Sequence, residues 1–237
     1  MEGVALVRGR TTVFSGINLE LVESRIGLIG DNGAGKSSFF RLLCGLDTPS
    51  AGRISVHGSD VGSLDLRDRP VGMMFQNPDE QIIFPTVEEE LALGLEVSGV
   101  PRRQARENVR EFLRDRGLSQ WAERAIACLS QGQRQHVCWL ALTIAAPVLL
   151  LLDEPFASLD LPSQVLLAHE IQQAPQQIMV STHVLDHVRG FERVLWLADG
   201  QVRGDGPGRE VCAAYEVDIA HRMASRRLHS DAPLALL

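Results

Sequence analysis

The pattern of apolar and polar residues near the N-terminus changes from that of strands to that of a helix. Apolar and polar residues alternate from Ile17 to Leu21, which predicts a half-exposed strand, and Arg25 to Ile29 predicts a second strand. A glycine-rich turn follows, after which the apolar residues from Lys36 to Cys44 recur with helical spacing. We therefore expect a strand, a glycine-rich loop and a helix in that order.

The middle of the chain predicts short strands and then a long helical segment. Strands are expected at Arg53 to Val56 and Val71 to Phe75, with glycine and proline residues between them. From Val87 to Ala146 the periodicity is helical, with Pro101 well placed to begin a helix and Gly117 to end one. This segment is expected to be a helical subdomain inserted into an α/β frame.

The last third of the chain returns to alternating strands and helices. The continuous apolar run from Val148 to Leu152 is typical of a strand buried on both faces. The elements expected after it are a helix at Ser163 to Gln172, a strand at Gln177 to Ser181, a short helix from Val184, strands at Arg193 to Leu197 and Gln201 to Arg203, and a helix from Gly208 to about Met223. This alternation predicts an α/β fold.

Composition and charge exclude several functions. With 23 basic and 30 acidic residues the net charge is −7, the wrong sign for a protein whose main partner is a nucleic-acid backbone. The first twenty residues lack a continuous apolar run, so no secretory signal peptide is expected. The longest apolar stretch, Leu140 to Leu152, is shorter than the roughly 20 residues of a membrane span. The four cysteines lack CxxC spacing and are expected to be free thiols.

The glycine-rich turn matches the phosphate-binding pattern GxxxxGK[ST]. The residues predicted to bind nucleotide here are Gly30, Asp31, Asn32, Gly33, Ala34, Gly35, Lys36, Ser37 and Ser38. In such a loop the backbone N–H groups surround the phosphates, the lysine reaches their terminal oxygens and the hydroxyl of Ser37 binds Mg²⁺. Lys36 is the only lysine in the chain. We therefore expect the loop to bind a nucleoside triphosphate.

Two carboxylates follow the apolar run of Leu149 to Leu152. Open α/β sheets place their ligands at the carboxyl ends of their strands, where Asp153 and Glu154 are expected. Asp153 would hold Mg²⁺ through water, and Glu154 would orient and polarise the attacking water. Taken alone, the run could also be a hydrophobic strand that ends in a solvated acidic turn, which is the less favoured alternative. Together with the phosphate loop it predicts hydrolysis.

The segment Leu129 to Gln133 is similar to the LSGGQ signature of ABC ATPases. It lies about twenty residues before the carboxylate pair, and Ser130, Gly132 and Gln133 are its predicted nucleotide-binding residues. The resemblance extends over almost the whole chain. Gln76 resembles the Q-loop glutamine, which binds nucleotide and metal, Ser158-Leu159-Asp160 resembles the D-loop, and His183 resembles the switch histidine. Alone, each would suggest only a surface residue, a helix cap or a core histidine.

The resemblance implies a fold and a mechanism. The fold is a P-loop NTPase (RecA-like) core of mostly parallel sheet, with an antiparallel β subdomain and an inserted helical subdomain. The expected division is one ABC ATPase domain over 1–237, with the core in 1–86 and 147–207, the helical subdomain in 87–146 and a C-terminal helix and tail in 208–237. Two such chains pair head to tail, so that the signature of one closes over the ATP and Mg²⁺ held by the phosphate loop of the other. Glu154 and His183 are then the catalytic residues.

A narrower resemblance concerns Asn77 to Glu90, which is similar to the Q-loop region of energy-coupling factor ATPases. It implies partnership with a transmembrane coupling subunit and a substrate-binding membrane subunit, at the cytoplasmic face of the inner membrane, with membrane contact only through these partners. The segments Arg25 to Asn32 and Pro155 to Pro162 are most similar to ATPases of biotin uptake systems, and cobalt or nickel uptake is the alternative.

Two departures from the family pattern and two other functions remain open. Gln131 replaces the second signature glycine, which should be tolerated if its side chain faces solvent. No aromatic residue is evident for stacking on adenine, and Arg8 could cover the base instead.

A nucleic-acid ATPase of the same fold is disfavoured by the acidic charge and the short segment between loop and signature. An inactive regulatory module is disfavoured by the presence of Glu154 and His183.

Overall fold

A computed structural model describes residues 1–65, 68, 70–157 and 159–230, with backbone alone for 226–230. The strands are β1 (Glu2–Arg8), β2 (Thr11–Ile17), β3 (Arg25–Ile29), β4 (Ala51–Arg53), β5 (Ser55–Val56), β6 (Ser59–Asp60), β7 (Val71–Met74), β8 (Leu149–Asp153), β9 (Gln177–Ser181), β10 (Arg193–Ala198) and β11 (Gln201–Gly206). The helices are α1 (Lys36–Leu43), α2 (Val87–Val97), α3 (Arg102–Asp115), α4 (Gln131–Ala145), α5 (Leu161–Gln173) and α6 (Gly208–Ser230), and short 3₁₀ turns join several elements.

A six-stranded sheet in the order β11-β10-β3-β9-β8-β7 forms the centre of the fold. All neighbouring pairs are parallel except β10 and β11, which form an antiparallel hairpin. Every residue of β3 and β8 is buried, as a strand covered by helices on both faces requires. The α/β fold predicted from the alternation of elements is therefore confirmed.

A smaller antiparallel sheet, β2-β1-β4, lies beside the central one. The Phe14 ring of β2 packs edge-on against Phe39 of α1, which joins this sheet to the helix after the glycine-rich loop. The predicted strand at Ile17 to Leu21 is wrong, because β2 ends at Ile17. Leu19 exchanges backbone hydrogen bonds only with Met1, and its side chain, like that of Leu21, packs against the core. The alternation of burial arises there without a strand.

Three helices, α2, α3 and α4, fill the segment between β7 and β8. Helix α3 buries Ala105, Val109 and Leu113, which recur every four residues on one face. Pro101 is the N-cap of α3, as predicted. The helical character predicted for this segment is confirmed, while its boundaries as a separate subdomain remain a prediction.

Arg25 ties the end of α5 to the central sheet. Its side chain is 9% exposed, and its guanidinium donates to the carbonyl oxygens of Ser24, Gln172, Ala174 and Gln176 at 2.5 to 3.2 Å. The last carbonyl groups of a helix have no partner within the helix, so Arg25 satisfies groups that would otherwise need water.

Helix α6 packs against β10 and β11 and continues to Ser230, beyond the end predicted near Met223. Its later turns are polar and lack an apolar period, yet Arg222 forms ion pairs with Asp218 and with Asp31 of the glycine-rich loop. Contacts to another part of the chain thus support these turns where hydrophobic periodicity does not. The tail after Ser230 lies outside the described residues. Among the described helices, none combines the length and apolar character needed to cross a membrane.

Candidate active site

The glycine-rich loop joins β3 to α1, and its glycines hold backbone angles that other residues rarely adopt. The φ angles are 148° at Gly30, 83° at Gly33 and 98° at Gly35. A Cβ atom on Gly30 would lie 2.4 Å from the carbonyl oxygen of Leu197 in β10. The loop therefore follows a path in close contact with the sheet that requires glycine at this position.

Lys36 and the start of α1 make the loop suited to anions. The Lys36 side chain is buried at 8% exposure, and its Nζ donates to the carbonyl oxygens of Gly30 at 2.9 Å and Asp31 at 3.3 Å. The cap of α1 is Gly35, which has no side chain to bond the first N–H groups, and the first turn contains no acidic residue. An ammonium group and the positive end of a helix dipole thus lie together.

Asp153 and Glu154 are held at the carboxyl end of β8 by Ser181, the last residue of the neighbouring strand β9. Asp153 pairs with Ser181 in the sheet register and accepts a hydrogen bond from its hydroxyl. The Glu154 N–H donates to the Ser181 carbonyl and hydroxyl oxygens, both at 3.1 Å. Glu154 has a φ of 48°, an unfavourable angle for a residue with a side chain, so the contacts around it must hold its backbone in place.

Glu154 is also bonded to His183. Its Oε2 lies 2.8 Å from His183 Nδ1 and accepts the His183 backbone N–H at 3.3 Å. The Glu154 side chain is 12% exposed and the His183 side chain 61% exposed. The imidazole therefore orients a shielded carboxylate while itself remaining open to solvent.

One cleft of about 540 Å³ collects most of the predicted groups, whereas Gly30, Asp31 and Ala34 of the loop are not among its lining residues. Its lining residues are Val13, Asn32, Gly33, Gly35, Lys36, Ser37, Ser38, Gln76, Asp153, Glu154 and His183. Ser37, Gln76 and Asp153 offer hydroxyl, amide and carboxylate oxygens, the ligand chemistry that Mg²⁺ prefers. The residues present therefore fit this metal ion beside a phosphate chain.

A larger cavity of about 1030 Å³ lies near Leu149 and Gln177, the first residues of β8 and β9, at the opposite end of the strands. Its walls do not include the phosphate loop or the carboxylate pair. The chemistry of the lining side chains, and not volume, therefore identifies the active site.

The predicted signature residues lie outside this cleft. Ser130 is the N-cap of α4 and forms a reciprocal capping box with Gln133. A Cβ atom on Gly132 would lie 2.7 Å from the Ser163 hydroxyl of α5, whose N-cap is Asp160. Ser130, Gly132, Gln133 and Asp160 thus belong to the neighbouring starts of two helices, which we call the signature group. Ser158 lies outside the described residues.

The remaining predictions concern two positions. The Gln131 side chain is exposed, which meets the condition for tolerating it in the signature. Arg8 does not line the cleft, and its guanidinium pairs with Asp47, which Arg41 also contacts at 3.0 Å. Its stacking on adenine stays a prediction. Val13 of β2 lines the cleft instead.

Sequence reasoning missed Ser181, Val13 and two residues of α6 that contact the phosphate loop, Tyr215 and Arg222. Ser181 ends a correctly predicted strand, so the meeting of parallel strand ends could have indicated it. Val13 and the α6 residues carry no local sequence signal.

A glycine-rich loop between a buried strand and a helix, facing two carboxylates at the same edge of the sheet, defines a P-loop nucleoside triphosphatase. Comparison with known proteins is more specific. The family model described as ABC transporter matches residues 14–157. The chain belongs to the ABC transporter family, as an ATP-hydrolysing subunit of the energy-coupling factor type.

Relatives and solved structures agree with this family. The chain is 44% identical to the biotin transport ATP-binding protein BioM of Rhodobacter capsulatus, over 90% of this chain and 91% of that protein. It is 36% identical to the energy-coupling factor transporter ATP-binding protein EcfA1 of Symbiobacterium thermophilum, over 90% of this chain and 76% of the relative. The structure of cbiO1 from Clostridium perfringens, part of the ABC transporter complex cbiONQ, aligns with a TM-score of 0.76 and 26% identity over 96% of this chain and 95% of that one.

Proposed function

We propose that the chain binds and hydrolyses ATP to drive an energy-coupling factor importer for biotin. The observation that carries the choice of biotin is the 44% identity to a biotin transport ATP-binding protein across nine-tenths of this chain. The cleft supports the hydrolytic part of the proposal, because it combines an anion-binding loop with a shielded, oriented carboxylate.

Lys36 and Glu154 take the main roles in the proposed mechanism. The loop N–H groups and the Lys36 ammonium bind the phosphate oxygens and stabilise charge that moves onto them during bond breaking. Glu154 accepts a hydrogen bond from the attacking water and orients it towards the terminal phosphorus. His183, exposed at the mouth of the cleft, holds the Glu154 carboxylate in that orientation through its Nδ1 and its backbone N–H.

The metal ligands in this proposal are Ser37, Gln76 and Asp153. Mg²⁺ held by these residues would neutralise part of the negative charge of the phosphates. Asp153 keeps its position because Ser181 donates to it. Gln76 follows β7, lines the cleft and directly precedes the segment expected to contact membrane partners. A change in the bound nucleotide at Gln76 could therefore be passed on to that segment.

The separation of the signature group from the cleft supports a site shared by two chains. In a head-to-tail pair, Ser130, Gly132 and Gln133 would close over the ATP bound by the second ATPase subunit. Asp160 would lie at the interface between the two subunits and contribute to the same nucleotide site. The start of α4 adds a helix N-terminus facing phosphate. One chain then contributes half of each of two sites.

The membrane partners proposed are a transmembrane coupling subunit and a substrate-binding subunit, with the ATPase peripheral at the cytoplasmic face. The Ile83 side chain is 71% exposed beside acidic Asp79 and Glu80. Glu90 accepts hydrogen bonds from the N–H groups of Ile83 and Phe84 at 2.9 and 2.8 Å, which fixes the backbone of the apolar tip formed by these two residues. Such a tip suits a basic, amphipathic partner helix.

The catalytic role is tested with Glu154→Gln. Replacing the carboxylate by an amide of the same shape should lower kcat about 100- to 10,000-fold while ATP still binds. Gel filtration with ATP should then show a trapped dimer. Glu170→Gln is the matched control. Glu170 Oε1 lies 3.0 Å from His136 Nε2, and neither residue lines the cleft. Unchanged hydrolysis in Glu154→Gln would remove its assigned role.

The solute is tested by co-producing the chain with its membrane partners and measuring uptake of labelled biotin, cobalt and nickel. The proposal expects biotin uptake that is lost with Glu154→Gln. Metal uptake without biotin uptake would replace biotin by the cobalt or nickel alternative. Binding to DNA or RNA that persists at raised salt, with no uptake, would favour a nucleic-acid ATPase.

A further inference from the structure

The second residue of the phosphate loop, Asp31, is bonded to the C-terminal helix. The Tyr215 hydroxyl donates to Asp31 Oδ1 at 2.6 Å. The Arg222 guanidinium donates to both carboxylate oxygens, with Nη1 2.5 Å from Oδ2 and Nη2 3.2 Å from Oδ1. We call these three residues the Asp31 clamp. Along the chain, Tyr215 lies 184 residues from Asp31, and Arg222 lies 191 residues from it.

The two α6 residues of the clamp are themselves fixed. The Tyr215 ring packs edge-on against Trp196 of β10 with centroids 5.2 Å apart. Arg222 Nε forms an ion pair with Asp218 Oδ2 at 2.8 Å, and Asp218 also pairs with Arg203 of β11 at 2.7 Å. Contacts with β10 and β11, at the edge of the central sheet, therefore fix where Tyr215 and Arg222 lie relative to Asp31.

The clamp solves an electrostatic problem in the loop. A triphosphate carries several negative charges, and a loop that binds it contains an acidic side chain at Asp31. Hydrogen bonds from Arg222 and then Tyr215 lower the pKa of Asp31 to about 2, with a further contribution from the Lys36 charge. Burial, and then the Asp31 carboxylate, raises the pKa of Tyr215 to about 12. At neutral pH the carboxylate is thus ionised and the phenol remains a donor.

We propose that Tyr215 and Arg222 are positioning residues for ATP binding, which neutralise the Asp31 carboxylate and hold it away from the phosphates. Without Arg222, the ionised carboxylate is free to repel the triphosphate and to compete for Lys36. The clamp acts on binding and does not touch the reacting atoms. The inference rests on the assignment of the cleft to ATP.

The first test is Arg222→Gln in the full chain, with ATPase kinetics and titration of the fluorescent analogue trinitrophenyl-ATP. The Kd and the KM for ATP should rise about 2- to 5-fold, the range expected for losing a half-exposed ion pair, while kcat changes less than twofold. The ratio of variant to wild-type Kd should shrink as salt is raised. Unchanged Kd and KM would overturn the proposal.

The decisive comparison removes the repelling charge from the same variant. In Asp31→Asn/Arg222→Gln the Kd should return to that of Asp31→Asn alone, because no carboxylate remains for Arg222 to neutralise. A merely structural role for Arg222 predicts that the double variant binds as weakly as Arg222→Gln. That result would overturn the proposal.

Arg189→Gln is the matched control. Arg189 anchors α6 through Glu216 at 2.5 Å without contacting Asp31, so its loss should leave the Kd unchanged. An equal rise in Kd would assign the effect to docking of α6 and refute the clamp. Tyr215→Phe keeps the ring against Trp196 and should raise the Kd in the same direction, which preserves the test if Arg222→Gln folds poorly. If the wild-type chain fails to bind the analogue, the assignment of the cleft to ATP fails first, and the clamp with it.

Discussion

Substituting Gly30 by alanine should destabilise the chain much more than the same change at Gly33. Both residues lie in the phosphate loop with positive φ angles, 148° and 83°. The new Cβ at Gly30 would lie 2.4 Å from the Leu197 carbonyl oxygen, whereas at Gly33 no atom lies within 4 Å. The two variants therefore separate crowding from backbone strain at neighbouring positions.

The magnitudes follow from these contacts. At Gly33 only the strained backbone angle counts, about 1 to 2 kcal/mol. At Gly30 the strain is joined by overpacking against a backbone atom of a central strand, which adds about 1 to 3 kcal/mol. Leu197 cannot retreat cheaply, because β10 is hydrogen-bonded to β3 and β11. The total expected for Gly30→Ala is about 3 kcal/mol.

Thermal unfolding of the two full-length variants measures the difference. At roughly 2 to 4 °C per kcal/mol for a protein of this size, about 3 kcal/mol lowers Tm by about 6 to 12 °C in Gly30→Ala, and the midpoint of about 1.5 kcal/mol lowers it by about 3 to 6 °C in Gly33→Ala. Both variants should also lose ATP affinity, so stability is the discriminating measurement. Equal falls in Tm would refute the reasoning from the Leu197 contact.

Three further outcomes are expected. Lys36→Arg should abolish ATP hydrolysis, because the buried space between two loop carbonyls fits an ammonium and not a planar guanidinium; near-normal activity would contradict this. Arg25→Gln should lower the free energy of unfolding by about 2 to 4 kcal/mol by leaving several carbonyls unpaired, whereas Arg103→Gln, at a 92% exposed side chain, should change it by less than about 0.5 kcal/mol in urea titration. The pKa of Asp31 is lowered from 3.8 to about 2, so its ion pair is fully present above pH 3.8 and weakens only as pH falls through 2; the Kd increase in Arg222→Gln should therefore be the same at pH 6 and pH 8.

The parallel core was predictable because its strands are apolar on both faces. The run Leu149 to Leu152 and the segment Gln177 to Ser181 could be identified from composition and their flanking turns alone. Strands β1 and β2 were missed, since β1 buries only Val4 and Leu6 fully and leaves its other residues partly or wholly exposed. Their pairing is determined by the neighbouring strand and not by a local pattern.

The candidate site was predictable wherever a motif lies at the end of a predicted element. Lys36, Asp153, Glu154 and His183 were each assigned to such an end, and they line one cleft. The Asp31 clamp could not be predicted, because α6 approaches the loop through its packing on β10 and β11. Nothing in the sequence around Arg222 specifies a partner 191 residues away.

The separation of the signature group from the cleft has a genetic consequence. In the proposed head-to-tail pair, a chain damaged at Lys36 retains a sound signature group, and a chain damaged at Ser130 retains a sound cleft. A pair of two identically damaged chains is inactive, because both of its sites carry the same lesion. When both kinds of chain are present, some pairs contain one chain of each kind, and in such a mixed pair one site carries both lesions while the other carries none. Intragenic complementation between two silent alleles is therefore built into a catalytic centre divided in this way.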